Sequence, residues 1–326
     1  MTTTDQAQST AGSSERLRTY ARMGAPFAVF VALYVAVGIF EPNFFRWASV
    51  RALLEQWPII LLLASGQMLV IMTGRIDLSN ASLASLSAMM TALLLDDLGG
   101  PVTVVLVIVI ATLIGLIQGL LHYHGQVASF VITLGGLGAW SGLALAISGG
   151  RSIIDDTDTL DFLFDRAILD IPNAVFFMIL IVALVAGMMR YLPIGRQILA
   201  VGNGQLAAAY SGVDVGKVMA TVFGASGLFA GLCGLAIVGW IDAASPSTAD
   251  NLLLPAIAAV VIGATAITGG LGGIGRTAVG AAIVAVLRVG QNVAGIEAKY
   301  QPIIYGVLVV LAVGLTIDRS RLKIVK

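Results

Sequence analysis

Between residues 27 and 317 the chain is a succession of apolar runs of membrane-spanning length, with few charges inside them. About 20 apolar residues cross a bilayer core as a helix. Within lipid each backbone N–H and C=O must be satisfied inside its own segment, so repeated runs of this kind dictate a helical bundle. The composition agrees: 58% of residues are hydrophobic and 11% charged, against about 25% charged in a soluble domain. The expected fold is an all-α, polytopic membrane bundle in a lipid bilayer.

The hydropathy divides into about ten spans, over residues 27–40, 52–72, 79–95, 101–121, 127–148, 172–190, 218–240, 254–268, 277–295 and 302–317. Several are short for a perpendicular crossing, which points to interrupted or re-entrant helices. Residues 1–24 are polar, carry Arg16, Arg18 and Arg22, and are followed by no signal-peptidase-like site, so they read as a disordered cytoplasmic tail. The transmembrane domain covers 25–318, and 319–326 form a second cytoplasmic tail. With ten spans, the N-terminal arginines, the loop with Arg190, Arg196 and Lys217, and the basic C-terminus share the cytoplasmic face. The acidic loop 149–171 lies on the other. Arg46 and Arg51 run against that pattern. The 18 basic and 18 acidic residues balance, and nothing suggests a nucleic-acid partner. The single cysteine, Cys233, reads as a small packing residue.

Three G-x-x-x-G pairs, Gly115/Gly119, Gly138/Gly142 and Gly227/Gly231, have the spacing of close helix crossings. Two glycine-containing segments resemble each other, Thr73-Gly74 and Thr268-Gly269, each after one apolar run and before another. They suggest an internal repeat with an interrupted helix in each half. Gly270, Gly272 and Gly275 satisfy a dinucleotide fingerprint, and Gly270, Gly275, Arg276 and Thr277 approach a P-loop with Arg in place of Lys. Both motifs require a strand before the loop, whereas residues 255–267 read as a membrane span. A turn between helices is the better reading, and no cofactor is expected. His122 and His124 do not share a helix face and have no nearby Cys or carboxylate cluster, so no metal site is expected. No nucleophile–His–acid set is legible, and the chain is not expected to be an enzyme.

Polar groups inside lipid are costly and usually face a cavity or the bundle interior. Asp77, Ser79 and Asn80 stand at the first interruption, where Asp77 either caps the helix that starts near Asn80 or lines a solute path. Arg288, Gln291 and Asn292 lie together in the outer half of the ninth span, Arg288 and Asn292 as i, i+4 neighbours on one face. They either line a path for a polar solute, bond between helices or, for Arg288, snorkel to the interface. Gln56, Gln67 and Gln118 pose the same question more weakly. In the loop between the sixth and seventh spans, 205–210 reads as a short helix ended by Ser211-Gly212 in C-cap position. Such a helix can dock in a groove on a partner, or be only a linker turn. Asn203, Gln205, Ala207, Ala208, Ser211 and Gly212 are its candidate coupling residues.

Over about residues 50–317 the chain resembles the permease subunits of bacterial ABC importers of the ribose/xylose/galactose type, kin to the branched-chain amino acid permeases. Gly74-Arg75-Ile76-Asp77-Leu78-Ser79-Asn80-Ala81-Ser82 matches the family's Gly-Gly-x-Asp-Leu-Ser-Val-Gly-Ser. Thr133-Leu134-Gly135, Gly142-Leu143 and Gly149-Gly150-Arg151 match its next conserved stretch. Gly195-Arg196, Gly202, Ala207-Ala208 and Ser211-Gly212-Val213 match its coupling loop, while residues 258–263, 269–272 and 290–292 match its later elements. The resemblance implies a path between two permease subunits, ATP-binding cassette ATPase subunits on the coupling helices, and a periplasmic or lipid-anchored sugar-binding protein, in a bacterial inner membrane. Arg75, Asn80, Ala81 and Arg288 depart from the usual Gly, Val, Gly and Asn. The second permease subunit is either identical or non-identical; two Arg75 side chains meeting on a symmetry axis would repel, which favours a non-identical partner unless Arg75 lies off that axis. An ion-coupled secondary transporter and a purely structural membrane subunit are the alternatives.

Overall fold

Helix α4 (Gly100–His124) shows the polarity of the bundle. Its buried positions include Thr103, Val107, Ala111, Gly115, Gln118 and Gly119, and its exposed ones include Val102, Val105, Val109, Leu113 and Ile117. Small and polar residues point inward and large apolar ones outward. That inversion suits a surround as apolar as leucine, where helices are held by close backbone approach.

The computed structural model describes residues 26–155 and 167–316, together with Gly24, Leu160 and Phe164. The expected N-terminal tail (except Gly24), the C-terminal tail, and Asp156, Asp158, Asp161, Asp165 and Arg166 of the acidic loop lie outside the described residues. The structure is 79% helical. In chain order the helices are α1 (Pro26–Phe40), α2 (Trp47–Met72), α3 (Asn80–Leu98), α4, α5 (Ser129–Ser148), α6 (Asn173–Tyr191), α7 (Pro193–Asn203), α8 (Gln205–Tyr210), α9 (Val215–Ile241), α10 (Leu253–Ile262), α11 (Ile274–Val293) and α12 (Gln301–Thr316). Among the described residues seven of these, α2 to α6, α9 and α11, are long and apolar enough to cross a membrane. Helix α1, the stretch Asp250–Ile262 that contains α10, and Ala298–Leu311 at the start of α12 are shorter apolar helices.

Helices α2 and α9 form the centre. From Pro58 to Met72 every residue of α2 is buried, so the helix has no outward stripe. Helix α9 packs chiefly on α4, α2 and α3. A Cβ on Gly115 would overlap the Phe223 carbonyl oxygen, and one on Gly227 the Ala111 carbonyl oxygen. Two of the three expected G-x-x-x-G pairs therefore make one α4/α9 crossing. At Gly138 and Gly142 a Cβ would meet nothing within 4 Å, so the third pair closes on no helix among the described residues.

The eighth apolar run is shorter than expected, because α10 ends at Ile262. Thr265 N donates to Val260 O and Ala264 N to Val261 O, at 3.2 and 2.9 Å, with Ala264 at φ 57°. This is the terminator in which two returning N–H groups satisfy the last carbonyls. Ten residues rise about 15 Å, half of a core about 30 Å thick, so α10 is an interrupted element. Gly263 and Gly280 then pack α10 on α11, backbone to backbone. At the opposite end of the bundle from α7 and α8, β1 (Ile153–Ile154) pairs antiparallel with β4 (Ala243–Ala244), and β2 (Ala167–Ile168) with β3 (Ile171–Pro172).

Candidate functional site

At the strand-bearing end, a cavity of about 380 Å³ opens among α2, α9, α11, the start of α12 and the turn before α10. Arg288, Asn292, Gln56, Asn251, Gln301 and Trp240 contribute its polar and aromatic wall. The Gln301 amide nitrogen donates to Asn292 Oδ1 at 2.9 Å. The i, i+4 spacing of Arg288 and Asn292 does bring them to one wall. Gln291 is buried away from the cavity, and neither polar atom of its amide has a hydrogen-bond partner. Gln56 Oε1 is likewise buried and unpartnered. Trp240, Asn251 and Gln301 were not legible as cavity residues, since each stands in or beside a different apolar run.

Asp77, Ser79 and Asn80 form a separate and closed cluster. Asp77 Oδ1 accepts from the Ser79 amide at 2.9 Å and the Ser79 hydroxyl at 2.7 Å, and Oδ2 accepts from the Ser226 hydroxyl at 2.7 Å. The Gln67 amide nitrogen donates to Asp77 O at 2.8 Å, that of Gln118 to Ser79 Oγ at 3.0 Å, and that of Asn80 to Leu63 O at 3.2 Å. All seven residues are buried. The network ties the 73–79 turn to α2, α3, α4 and α9. The helix starts at Asn80, as expected, but Ser79 is its cap residue and Asp77 holds the Ser79 amide one step upstream. None of the three lines the cavity. Ser226 was missed in sequence, although a hydroxyl midway along the apolar run of α9 was a signal for it.

The two like interruptions meet. Gly270 N donates to Met72 O at 2.9 Å, and a Cβ on Gly269 would approach Gly74 N at 2.8 Å. Gly202 of α7 fits into the same junction, where a Cβ would overlap Met72 O and Gly270 N. The Asn203 amide nitrogen reaches Leu199 O at 2.8 Å and Gly270 O at 3.4 Å. Gly270 and Gly272 of the nucleotide-like motif are thus packing elements after a helix, whereas a Cβ on Gly275 would meet nothing within 4 Å.

Helix α8 ends as its sequence implies. Val213 N donates to Ala208 O and Gly212 N to Ala209 O, both at 3.0 Å, with Gly212 at φ +84°. Ala208, expected on the docking face, is instead buried, because it and Val213 join the core beneath the helix. The outward face carries Leu206 and Tyr210, exposed by 74% and 90%, with Gln205, Ala207, Ser211 and Gly212 also exposed. Asp214 caps α9 by accepting from Lys217 N at 3.0 Å, and this bond holds its carboxyl below the usual range.

Arg75 joins this loop to the first interruption. Its Nε donates to His122 Nε2 at 3.0 Å, and its Nη2 to Gln205 Oε1. His122 Nδ1 lies 2.7 Å from Val127 O. The two contacts are compatible when the imidazole is neutral with its proton on Nδ1. Arg75 is thereby occupied within its own chain.

The family model for the branched-chain amino acid transport system / permease component matches residues 49–313. The chain belongs to that permease family. The permease is 32% identical over 299 residues to the ribose import permease protein of Bacillus subtilis (strain 168), covering 91% of this chain and 92% of the relative. It is 28% identical to the D-allose transport system permease protein of Escherichia coli (strain K12), over 89% and 90% of the two chains. It is 30% identical to the fructose import permease protein of Rhizobium meliloti, over 89% and 84%. No solved structure matches the permease significantly.

The geometry of α11 makes a labelling prediction. Cysteine at Asn292, in a Cys233→Ala background, should react with a polar thiol reagent added from the strand-bearing side, because Asn292 is exposed at the cavity. Cysteine at Gln291 should not, because that residue is buried. Equal labelling at 291 and 292, read by mass shift, would contradict the placement.

Proposed function

We propose that this chain is the transmembrane permease subunit of an ATP-binding cassette importer. It moves a monosaccharide or similar small polar solute into the cytoplasm by alternating access. The observation that carries this reading is family membership over residues 49–313, in company with relatives described as importers of ribose, allose and fructose. The short apolar helices α1 and α12, and α10 continued by the non-helical segment 263–273, complete ten crossings with the seven long ones, in a bacterial inner membrane with both termini cytoplasmic. The basic residues of the 190–217 loop and the two tails support that orientation.

Helix α8 is the docking element for an ATPase subunit, with Leu206 and Tyr210 as its outward face. A periplasmic or lipid-anchored binding protein delivers solute to the opposite end, where the cavity opens. A second permease subunit completes the path. Since Arg75 is bonded to His122 and Gln205, its charge carries no argument against an identical second copy. The mass of the complex made with only the ATPase subunits counts the copies directly. An ion-coupled transporter needs a protonatable relay open to a path. Asp77, sealed by Ser79 and Ser226, offers no such opening. The test is ATP hydrolysis by the assembled complex in nanodiscs. Solute-loaded binding protein should stimulate it, and failure of any ATPase subunit to associate through residues 205–212 would overturn the reading.

Arg75 then acts as a positioning residue between the ATPase side and the 73–79 turn. Arg75→Ala should lower solute transported per ATP by about fivefold, the equivalent of a hydrogen bond of about 1 kcal/mol, with basal hydrolysis retained. Lysine should restore little, since it lacks the fork that engages two partners at once. An unchanged transport-to-hydrolysis ratio would remove Arg75 from the coupling route.

A further inference from the structure

Among the described residues, Arg288 is a cation with no anion. It belongs to none of the ion pairs among the described residues, which join Arg51 to Glu55, Lys217 to Asp214 and Lys299 to Glu297. It makes no hydrogen bond to another described residue, and no described Asp or Glu lines the cavity it faces. Arg288 is half-buried within the bundle, where a guanidinium is costly to desolvate unless something pairs with it. Among the described residues neither a carboxylate nor a carbonyl bonds it. The rest of the wall is suited to a polyol. The amides of Gln56, Asn251, Asn292 and Gln301 offer donors and acceptors, and the Trp240 indole supplies an apolar face. The cavity volume of about 380 Å³ lies within the range of small-ligand sites, roughly 300–1,000 Å³.

We propose that the solute taken by this cavity is a sugar acid, its carboxylate paired with Arg288 and its hydroxyls bonded by the surrounding amides. The inference rests on the importer reading and deepens it. A guanidinium matches a carboxylate in a planar two-point contact, whereas a neutral sugar would leave the charge unpaired. Arg288 is therefore the residue that selects for charge, and the amides select for hydroxyl pattern.

The test uses the full chain with its ATPase subunits in phosphatidylcholine nanodiscs, with tryptophan fluorescence as the readout. D-ribonate and D-ribose are the probes, since they differ at one carbon. Ribonate should give a saturable change, ribose none at the same concentration, and the change should vanish in Trp240→Phe. Arg288→Gln should weaken ribonate binding by about tenfold or more, the loss expected for a charge-assisted bond. Arg288→Lys should keep part of it. Should Arg288→Gln fail to fold, the unaltered chain carries the test, because ribonate affinity should fall as sodium chloride is raised.

Equal responses to ribose and ribonate would overturn the sugar-acid proposal and leave the importer reading standing. So would a response to inorganic phosphate as strong as that to ribonate, which marks a general anion site. If phosphatidylglycerol in the nanodisc reproduces the ribonate change, Arg288 meets a lipid headgroup and the proposal falls. Silence to every probe in a complex that still imports solute with ATP also overturns it. Absence of ATP-driven import is a separate failure, that of the importer reading.

Discussion

Leu206→Asp and Tyr210→Asp, made separately in the complete complex, should each abolish solute-stimulated ATP hydrolysis while the permease still folds and inserts. Both side chains are largely exposed on a six-residue helix that otherwise carries only alanines and one glutamine. A carboxylate placed in an apolar docking face loses its water and gains no partner. A cost of about 3 kcal/mol would weaken docking by roughly a hundredfold. Ala208→Asp should behave differently. Ala208 is 5% exposed and points into the core, so its replacement should lower the melting temperature of the isolated chain. Solute-stimulated hydrolysis and detergent melting curves, measured side by side, separate the two outcomes. Normal hydrolysis by both outward-face variants would remove α8 from the ATPase interface.

Gly227→Val should prevent stable folding. The added Cβ falls on the Ala111 carbonyl oxygen, which is backbone and cannot move without parting α4 from α9. Overpacking a tight core typically costs 1–3 kcal/mol, and here two helix backbones must separate, so about 3 kcal/mol or more is expected. Gly142→Val is the internal control. A Cβ there meets nothing within 4 Å, and valine should leave folding unchanged. Size-exclusion profiles and melting of the solubilised chain read both. Equal melting of the Gly227→Val and unaltered chains would show that the α4/α9 contact is looser than described.

These two cases mark where the fold was legible in the sequence. Apolar runs found the helices because lipid leaves the backbone no alternative to internal hydrogen bonding. Ser211-Gly212 marked the end of α8, because glycine at that step can take the left-handed conformation the terminator needs. Which face of α8 turns outward was hidden. Gln205-Leu-Ala-Ala-Ala-Tyr210 has too little contrast between polar and apolar positions to define a buried stripe. Gln291 was grouped with Arg288 and Asn292 by proximity, yet each residue turns the helix by about 100°, and that rotation takes it off the cavity wall. The partners of Arg75 lie 47 and 130 residues away in the chain, beyond the reach of any local pattern. The cavity itself is assembled from five separate segments, so its amides could be found only singly.

The most direct measurement is solute uptake into proteoliposomes holding the permease and its ATPase subunits, with the binding protein on the opposite side from the nucleotide. ATP supplied to the ATPase side should drive accumulation of solute against its gradient, and a proton or sodium gradient without ATP should drive none. Accumulation driven by the ion gradient alone would contradict the account.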